Sequence, residues 1–177
     1  MQVVKIPVER VKSLCGKGNE TLDMLKRVCK VEIIADPDGE IEIEGEPVDE
    51  FFAKDVVKAI GRGFDPNVAL KLLKDNYVLK IINLREFANS RDSITRIKSR
   101  IIGTDGKTKS IIESDAECDL SIYGYTIGII STLDTADIAV GAVVKLIDGA
   151  SHSGVYSYLE KARRRLKEDR IKTELGA

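Results

Sequence analysis

Arg100 to Ile122 reads RIIGTDGKTKSIIESDAECDLSI, and two incompatible readings of its centre compete. Gly106-Lys107-Thr108 matches the tail of a phosphate-binding P-loop, whereas Gly103-Thr104-Asp105-Gly106 is a short turn flanked by glycines. A P-loop needs a further glycine five residues before its Gly-Lys, so that backbone N–H groups wrap a phosphate. Ile101 occupies that position, and the preceding TRIKSR is basic and helical in period where a buried strand belongs. No later apolar strand ends in an aspartate placed to hold magnesium. These departures argue against nucleotide hydrolysis. The other reading is a turn between two short helices. Glycines at both ends permit a sharp reversal and leave no side chain between the turn and a sugar-phosphate backbone. The N–H groups opening the second helix, aided by its dipole, then face phosphates.

Working outward, the same order of elements occurs twice. VVKIP is extended, VERVKSL is helical, Gly16-Lys17-Gly18-Asn19 is a turn and ETLDMLKRV is helical, with Leu22, Leu25 and Val28 as its apolar stripe. VEIIA and EIEIE alternate around Asp36-Pro37-Asp38-Gly39 as a hairpin, and a helix runs from Val48 to Ile60. In the second half YVLKIINL is a strand, SITRIKSRI and KTKSIIES are helices, CDLSI and TIGIIST form a hairpin, and Thr135 to Ile147 is a helix. Setting Gly16 on Gly103 gives an offset of 87 and places Leu25 on Ile112. Each half reads β-α-turn-α-β-β-α over about 75 residues. The joining segment GRGFDPNVALKLLKDN enters a helix at Pro66 with Asp65 as its N-cap. Ser153 to Lys172 is one more helix, with Val155, Leu159, Ala162 and Leu166 on one face.

Composition sets the class. The chain has 177 residues, 43% hydrophobic and 32% charged, which specifies a folded protein. No apolar run reaches the ~18 residues that a membrane span requires, and the N-terminal MQVVKIPVERVK lacks the plan of a signal peptide. Cys15, Cys29 and Cys118 are isolated and odd in number, so a reducing cytoplasm is expected and no disulfide framework. One histidine, His152, leaves no basis for a zinc cluster. Net charge is −1, but it is unevenly spread. Glu32 to Asp55 holds ten acids against Lys54 alone, Arg91 to Lys109 holds six basic residues against two acids, and Lys161 to Lys172 holds seven against two. An acidic front and a basic back point to a polyanion partner.

An apolar-Ile-Gly-x-x-Gly turn between helices, followed by the alternating Leu120-Ser121-Ile122, resembles the KH domain. KH turns clamp about four single-stranded nucleotides, whose bases lie in a groove. The resemblance implies an α+β fold: two tandem type I KH domains (β-α-α-β-β-α each) plus a C-terminal basic helix. Residues 1–76 form the first, with a degenerate GxxG, an acidic hairpin and the linker helix. Residues 77–150 form the second, with an intact GxxG, and 151–177 the helix packed on it. The RNA-binding residues implied are Arg100, Ile102, Gly103, Thr104, Asp105, Gly106, Lys107, Thr108 and Lys109, joined by Arg163, Arg164, Arg165 and Lys167 as phosphate contacts. Gly16, Lys17, Gly18 and Asn19 are candidates in the first unit, where Asn19 replaces the closing glycine. That unit reads either as an RNA clamp or as a structural or protein-docking platform. Asp105 brings a negative charge toward the phosphates, and Lys109 stands where KH domains generally carry an aliphatic residue. His152 is expected to hydrogen-bond backbone. Tyr123 and Tyr125 offer stacking faces, with packing the plainer account.

Arg62 to Pro66, SIYGYTIGIIS (121–131) and above all GASHSGVYSYLEKARRRLK (149–167) resemble the archaeal partner-of-Nob KH proteins, factors of small ribosomal subunit assembly. That resemblance implies single-stranded RNA binding near the 3′ end of small-subunit rRNA, cooperation with a Nob-type endonuclease and association with a translation initiation factor subunit. No catalytic constellation, cofactor, metal, membrane or DNA partner is expected. The alternatives are a protein-docking adaptor with RNA-inactive KH units, or another KH factor of RNA processing.

Overall fold

The computed structural model describes residues 1–174, so the last three residues of the expected C-terminal region lie outside it. The first unit runs β1 (Gln2–Lys5), α1 (Val8–Cys15), α2 (Glu20–Cys29), β2 (Glu32–Ala35), β3 (Glu40–Glu44) and α3 (Pro47–Gly61). The second runs β4 (Tyr77–Asn83), α5 (Arg91–Ile102), α6 (Lys107–Asp115), β5 (Cys118–Tyr123), β6 (Thr126–Thr132) and α7 (Leu133–Ile147). Between them lies the short α4 (Pro66–Ala69), and after them α8 (His152–Glu174).

Each unit holds a three-stranded antiparallel sheet, in the orders β1-β3-β2 and β4-β6-β5. Alternation does the sorting. In β3, Ile41 and Ile43 face the helices and are fully buried, while Glu40, Glu42 and Glu44 face solvent. Burying each such isoleucine contributes about 1.5–3 kcal/mol relative to exposure. The EIEIE register is therefore strongly specified, because a one-residue slip would bury the glutamates. Leu25 and Ile112, matched by the 87-residue offset, are both fully buried in their units' cores.

The expected stripe of α2 needs one correction. Leu22, Leu25 and Cys29 are buried, whereas Val28 is exposed. Positions i, i+3 and i+7 share a face at 3.6 residues per turn, and i+6 rotates off it. The linker differs in form: Asp65 caps as expected, accepting from Asn67 N at 2.8 Å, but α4 passes at once into a 3₁₀ turn over Leu70–Leu73.

That linker lies on the outer face of the second sheet. The Phe64 ring fills the space above Gly128, where a Cβ would come within 2.6 Å of it. Ile130 packs with the first unit's core. Ser121 donates to Arg62 O at 2.8 Å, and Lys71 pairs with Asp119 at 2.6 Å. Tyr123 donates to Glu9 at 2.6 Å, which holds the Glu9 carboxyl below its usual range. Arg10 reaches Ile60 O and Phe64 O, with its guanidinium 5.6 Å from the Tyr123 ring centre. Packing is thus the outcome for Tyr123. Tyr125 carries the Arg85 guanidinium 3.9 Å from its ring centre.

Candidate nucleic-acid interface

α5 starts at Ser90, whose side chain accepts from Ser93 N at 3.1 Å, and stops because Gly103 leaves helical angles (φ 73°, ψ 179°). That region of backbone space is open in practice only to glycine. Space enforces the same choice: a Cβ on Gly103 would fall 2.8 Å from Thr108 Cβ and 2.9 Å from Thr108 N. Asp105 (φ 53°, ψ 28°) and Gly106 (φ 76°, ψ 11°) then turn the chain through two left-handed residues into α6.

The first unit follows the same path. Gly16 has φ 72° and ψ −172°, Gly18 has φ 60° and ψ 27°, and Asn19 has φ 68° and ψ 12°. A Cβ on Gly16 would meet Thr21, the counterpart of Thr108. Asn19, which departs from the GxxG pattern, and Asp105, the acid within it, now have a physical account. Asn19 and Asp105 each take one of the two left-handed positions, which asparagine and aspartate accept more readily than other side-chain-bearing residues. The degenerate turn keeps its shape.

Electrostatics separates the units. Around the second turn stand Arg96, Lys98, Arg100, Lys107 and Lys109; the offset of 87 puts Glu9, Val11, Ser13, Glu20 and Leu22 at the same places in the first. Neither α2 nor α6 has a side-chain N-cap; the first N–H of each, at Glu20 and Lys107, turns back to Lys17 O and Thr104 O, and the helix dipole is what each end presents. The α2 end stands among both signs, Glu9 and Glu20 with Lys12 and Lys17, and the α6 end among cations with Asp105 beside them.

The structure sorts the expected site residues. Gly103, Thr104, Asp105, Gly106 and Lys107 form the turn, with Thr104, Asp105 and Lys107 exposed. Ile102 is exposed beside it. Thr108 is buried, and its hydroxyl lies 2.9 Å from that of Tyr156, so it supports the turn from behind. Arg100 donates to Ala150 O, tying α5 to the segment entering α8. Lys109 pairs with Glu113 at 2.9 Å, and the same carboxylate oxygen accepts from Leu120 N at 2.9 Å on the strand edge. In the first unit Gly16 is half-buried, and Lys17, Gly18 and Asn19 are exposed.

The arginine run of α8 is not brought to the turn. α8 meets the turn through Tyr156, and Arg163 to Lys167 lie roughly 10–16 Å further along at 1.5 Å per residue. There Arg163 pairs with Asp115 at 3.1 Å and Arg164 with Glu160 at 3.5 Å, while Arg165 and Lys167 are exposed. Arg170 grips Glu117 through two hydrogen bonds and Asp134 through another.

What α8 does bring to the turn is His152 and Tyr156. His152 Nε2 lies 2.9 Å from Arg100 O, the backbone contact expected of it. With Arg96, Ser99, Arg100, Gly103, Thr104, Lys107 and Thr108, these two rings line a cleft of about 490 Å³ that has no carboxylate in its wall. Arg96 and Tyr156 were not among the expected site residues. The spacing of His152 and Tyr156, one helical turn apart, was the available signal. Among the described residues no cluster of metal-ligating side chains occurs.

Two antiparallel β-α-α-β-β-α units, each with a glycine-opened turn between paired helices, define a tandem type I KH protein. The eukaryotic type KH-domain family (KH-domain type I), in its form for the second domain of Pno1, matches residues 78–164. The KH domain-containing protein MJ0443 of Methanocaldococcus jannaschii is 39% identical over 176 residues, 97% of this chain and 78% of that protein. The pre-rRNA-processing protein pno1 of Aspergillus fumigatus is 34% identical over 118 residues, 65% of this chain and 47% of that longer protein. Dim2p from Pyrococcus horikoshii OT3 is similar in structure, with a TM-score of 0.85 and 37% identity over 90% of this chain and 98% of that one. A chain of the a/eIF2alpha-aDim2p-rRNA complex from the same organism matches with a TM-score of 0.87 and 36% identity, covering 93% of this chain and 94% of that chain. The chain belongs to the Dim2/Pno1 family of KH-domain proteins.

Proposed function

We propose that the protein is a non-enzymatic RNA-binding factor of small ribosomal subunit biogenesis, acting in the cytoplasm on a single strand near the 3′ end of small-subunit rRNA. The observation that carries this reading is the second turn: Gly103 to Gly106 lead into α6, whose N-terminus has no side-chain cap and opens on the exposed Lys107. Backbone donors and cations supply positioning contacts to phosphate, and the groove beside them reads bases. The names of the relatives support the cellular context, one being a pre-rRNA-processing protein and another occurring in a complex with rRNA and a/eIF2alpha.

The second unit, residues 77–150, is the main clamp. The first, residues 1–76, adds a weaker contact through a turn of the same shape in which Glu9 and Glu20 offset Lys12 and Lys17. The protein works by occupancy: it holds and shields an RNA end and presents it to a Nob-type endonuclease, with a translation initiation factor subunit as a further partner. Arg165 and Lys167 add distant phosphate contacts, and Arg163 and Arg164 do so to the extent that RNA displaces their carboxylate partners.

Replacing Gly106 by Asp tests the clamp. Asn19 shows that this position takes a branched polar side chain with the fold intact, and a Cβ at Gly106 meets nothing within 4 Å. Affinity for a single-stranded 3′-end RNA should fall at least about tenfold by anisotropy, since a new carboxylate faces the phosphates. The circular dichroism spectrum should be retained. Unchanged affinity would sink the assignment and favour an adaptor whose KH units do not bind RNA.

A further inference from the structure

The cleft between the second turn and the start of α8 joins the second KH unit to a helix outside it. Its walls come from α5 (Arg96, Ser99, Arg100), the turn and α6 (Gly103, Thr104, Lys107, Thr108), and α8 (His152, Tyr156). The first unit has no counterpart. Glu9, Ser13 and Glu20 stand where Arg96, Arg100 and Lys107 stand, and α3 is followed by the linker instead of a helix laid beside the turn.

Three features define what the cleft takes. First, among the described residues Arg96, Arg100 and Lys107 make no ion pair, whereas Arg163, Arg164 and Arg170 of α8 all do. Gathering three cations without a carboxylate costs mutual repulsion that a bound anion relieves. Second, the cleft is held in shape from three sides by bonds between distant residues: Arg100 to Ala150 O, His152 to Arg100 O and Thr108 to Tyr156. Third, the His152 and Tyr156 rings stand 6.3 Å apart and tilted by 49°, the chemistry on which bases stack. Its size, about 490 Å³, falls in the range of ~300–1,000 Å³ that suits a small ligand.

We propose that this cleft binds one nucleotide of the RNA strand beyond those gripped by the KH turn. Its phosphate lies on Arg96, beside the Lys107 that the clamp also uses, and its base or sugar rests against Tyr156 and His152. Arg100 is a positioning residue, because its guanidinium is committed to Ala150 O. The C-terminal helix thereby lengthens the footprint of the second unit and adds a contact with no equivalent in the first. The proposal rests on the second unit being the RNA clamp.

The test compares a tetranucleotide with RNAs extended by one nucleotide at either end, titrated by anisotropy against the full-length protein over a range of salt. One of the two extensions should bind about tenfold more tightly than the tetranucleotide, the scale of one stacked base and its phosphate. In Arg96→Ala and in Tyr156→Ala, each of which removes one of the two contributions, the ratio of the two affinities should fall to about three or less, and Arg96→Ala should lower the salt slope of the extended RNA by about one. Tyr156→Phe keeps the ring and should keep the ratio, which separates stacking from loss of the Thr108 bond. A wild-type ratio of one, or a ratio that survives both alanine variants, overturns the proposal. If Gly106→Asp does not weaken the tetranucleotide, the clamp itself fails, and this proposal with it.

Discussion

Gly16 to Asn19 and Gly103 to Gly106 follow one backbone path in different electrostatic surroundings. Their left-handed residues agree within about ten degrees, Gly18 with Asp105 and Asn19 with Gly106. Yet Glu9 and Glu20 frame the first turn where Arg96 and Lys107 frame the second. The difference teaches that duplication preserved what sterics demand and released what electrostatics chooses. A wrong residue at Gly16 or Gly103 collides with a threonine backbone, whereas a changed charge on an exposed helix costs the fold little.

The largest effect is expected where the two turns agree. Gly103→Ala should destabilise by about 3 kcal/mol in chemical denaturation, since it combines a Gly-only backbone with a collision, while Gly106→Ala should cost only about 1 kcal/mol. Gly16→Ala should behave as Gly103→Ala does. Equal costs at Gly103 and Gly106 would show that the turn relaxes, and that its shape is not what duplication preserved.

A middle-sized effect is expected where the turns differ. Lys107→Glu gives the second turn the first one's charge, and the slope of log affinity against log salt should shrink by about one. Glu20→Lys performs the reverse exchange and should steepen the slope by a similar amount. If Glu20→Lys changes nothing, the first turn lies off the RNA path and the first unit is a platform only.

The smallest effect concerns the two cores. Burial pushes the Cys29 thiol up to about 11 and the Cys118 thiol up to about 12. Both pKa values lie far above pH 8, so neither forms appreciable thiolate there until its unit opens. Half-buried Cys15 should label first with a thiol reagent at pH 8, then Cys29, and Cys118 last. The second unit has α8 along α6 and α7, while the linker seats Phe64, Ala69 and Leu72 in the first unit's core. Equal rates at Cys29 and Cys118 would mean that the units open together.

Most of the fold was legible because its signals are local. Alternation in EIEIE and CDLSI, the Asp-Pro-Asp-Gly turn and the Asp65-Pro66 helix start each act within a few residues, and each appears in the structure. The stripe of α2 was misread by one residue, Val28 for Cys29, because a helix turns 100° per residue and i+6 falls off the face. The site was legible at the turn and not beyond it. The arginine run of α8 drew attention by its charge, but Asp115 and Glu160 take up part of it. Arg96 and Tyr156, which line the cleft, are single residues in unremarkable surroundings.

By itself, then, the sequence determined the duplication, the order of elements and the glycine-opened turns between the paired helices. Glycine placement and hydrophobic period act through neighbours in the chain, so they can be read from neighbours. Only the tertiary structure decided which charges stay free and which side chains converge. Asn19 became an acceptable closing residue and Asp105 an ordinary left-handed one once their angles were seen. Thr108 meets Tyr156 and Arg100 meets Ala150 across some fifty residues, and Arg163 is neutralised by Asp115 at a similar separation. Contacts of that range are set by how α8 packs on α6 and α7, and no local pattern encodes that placement.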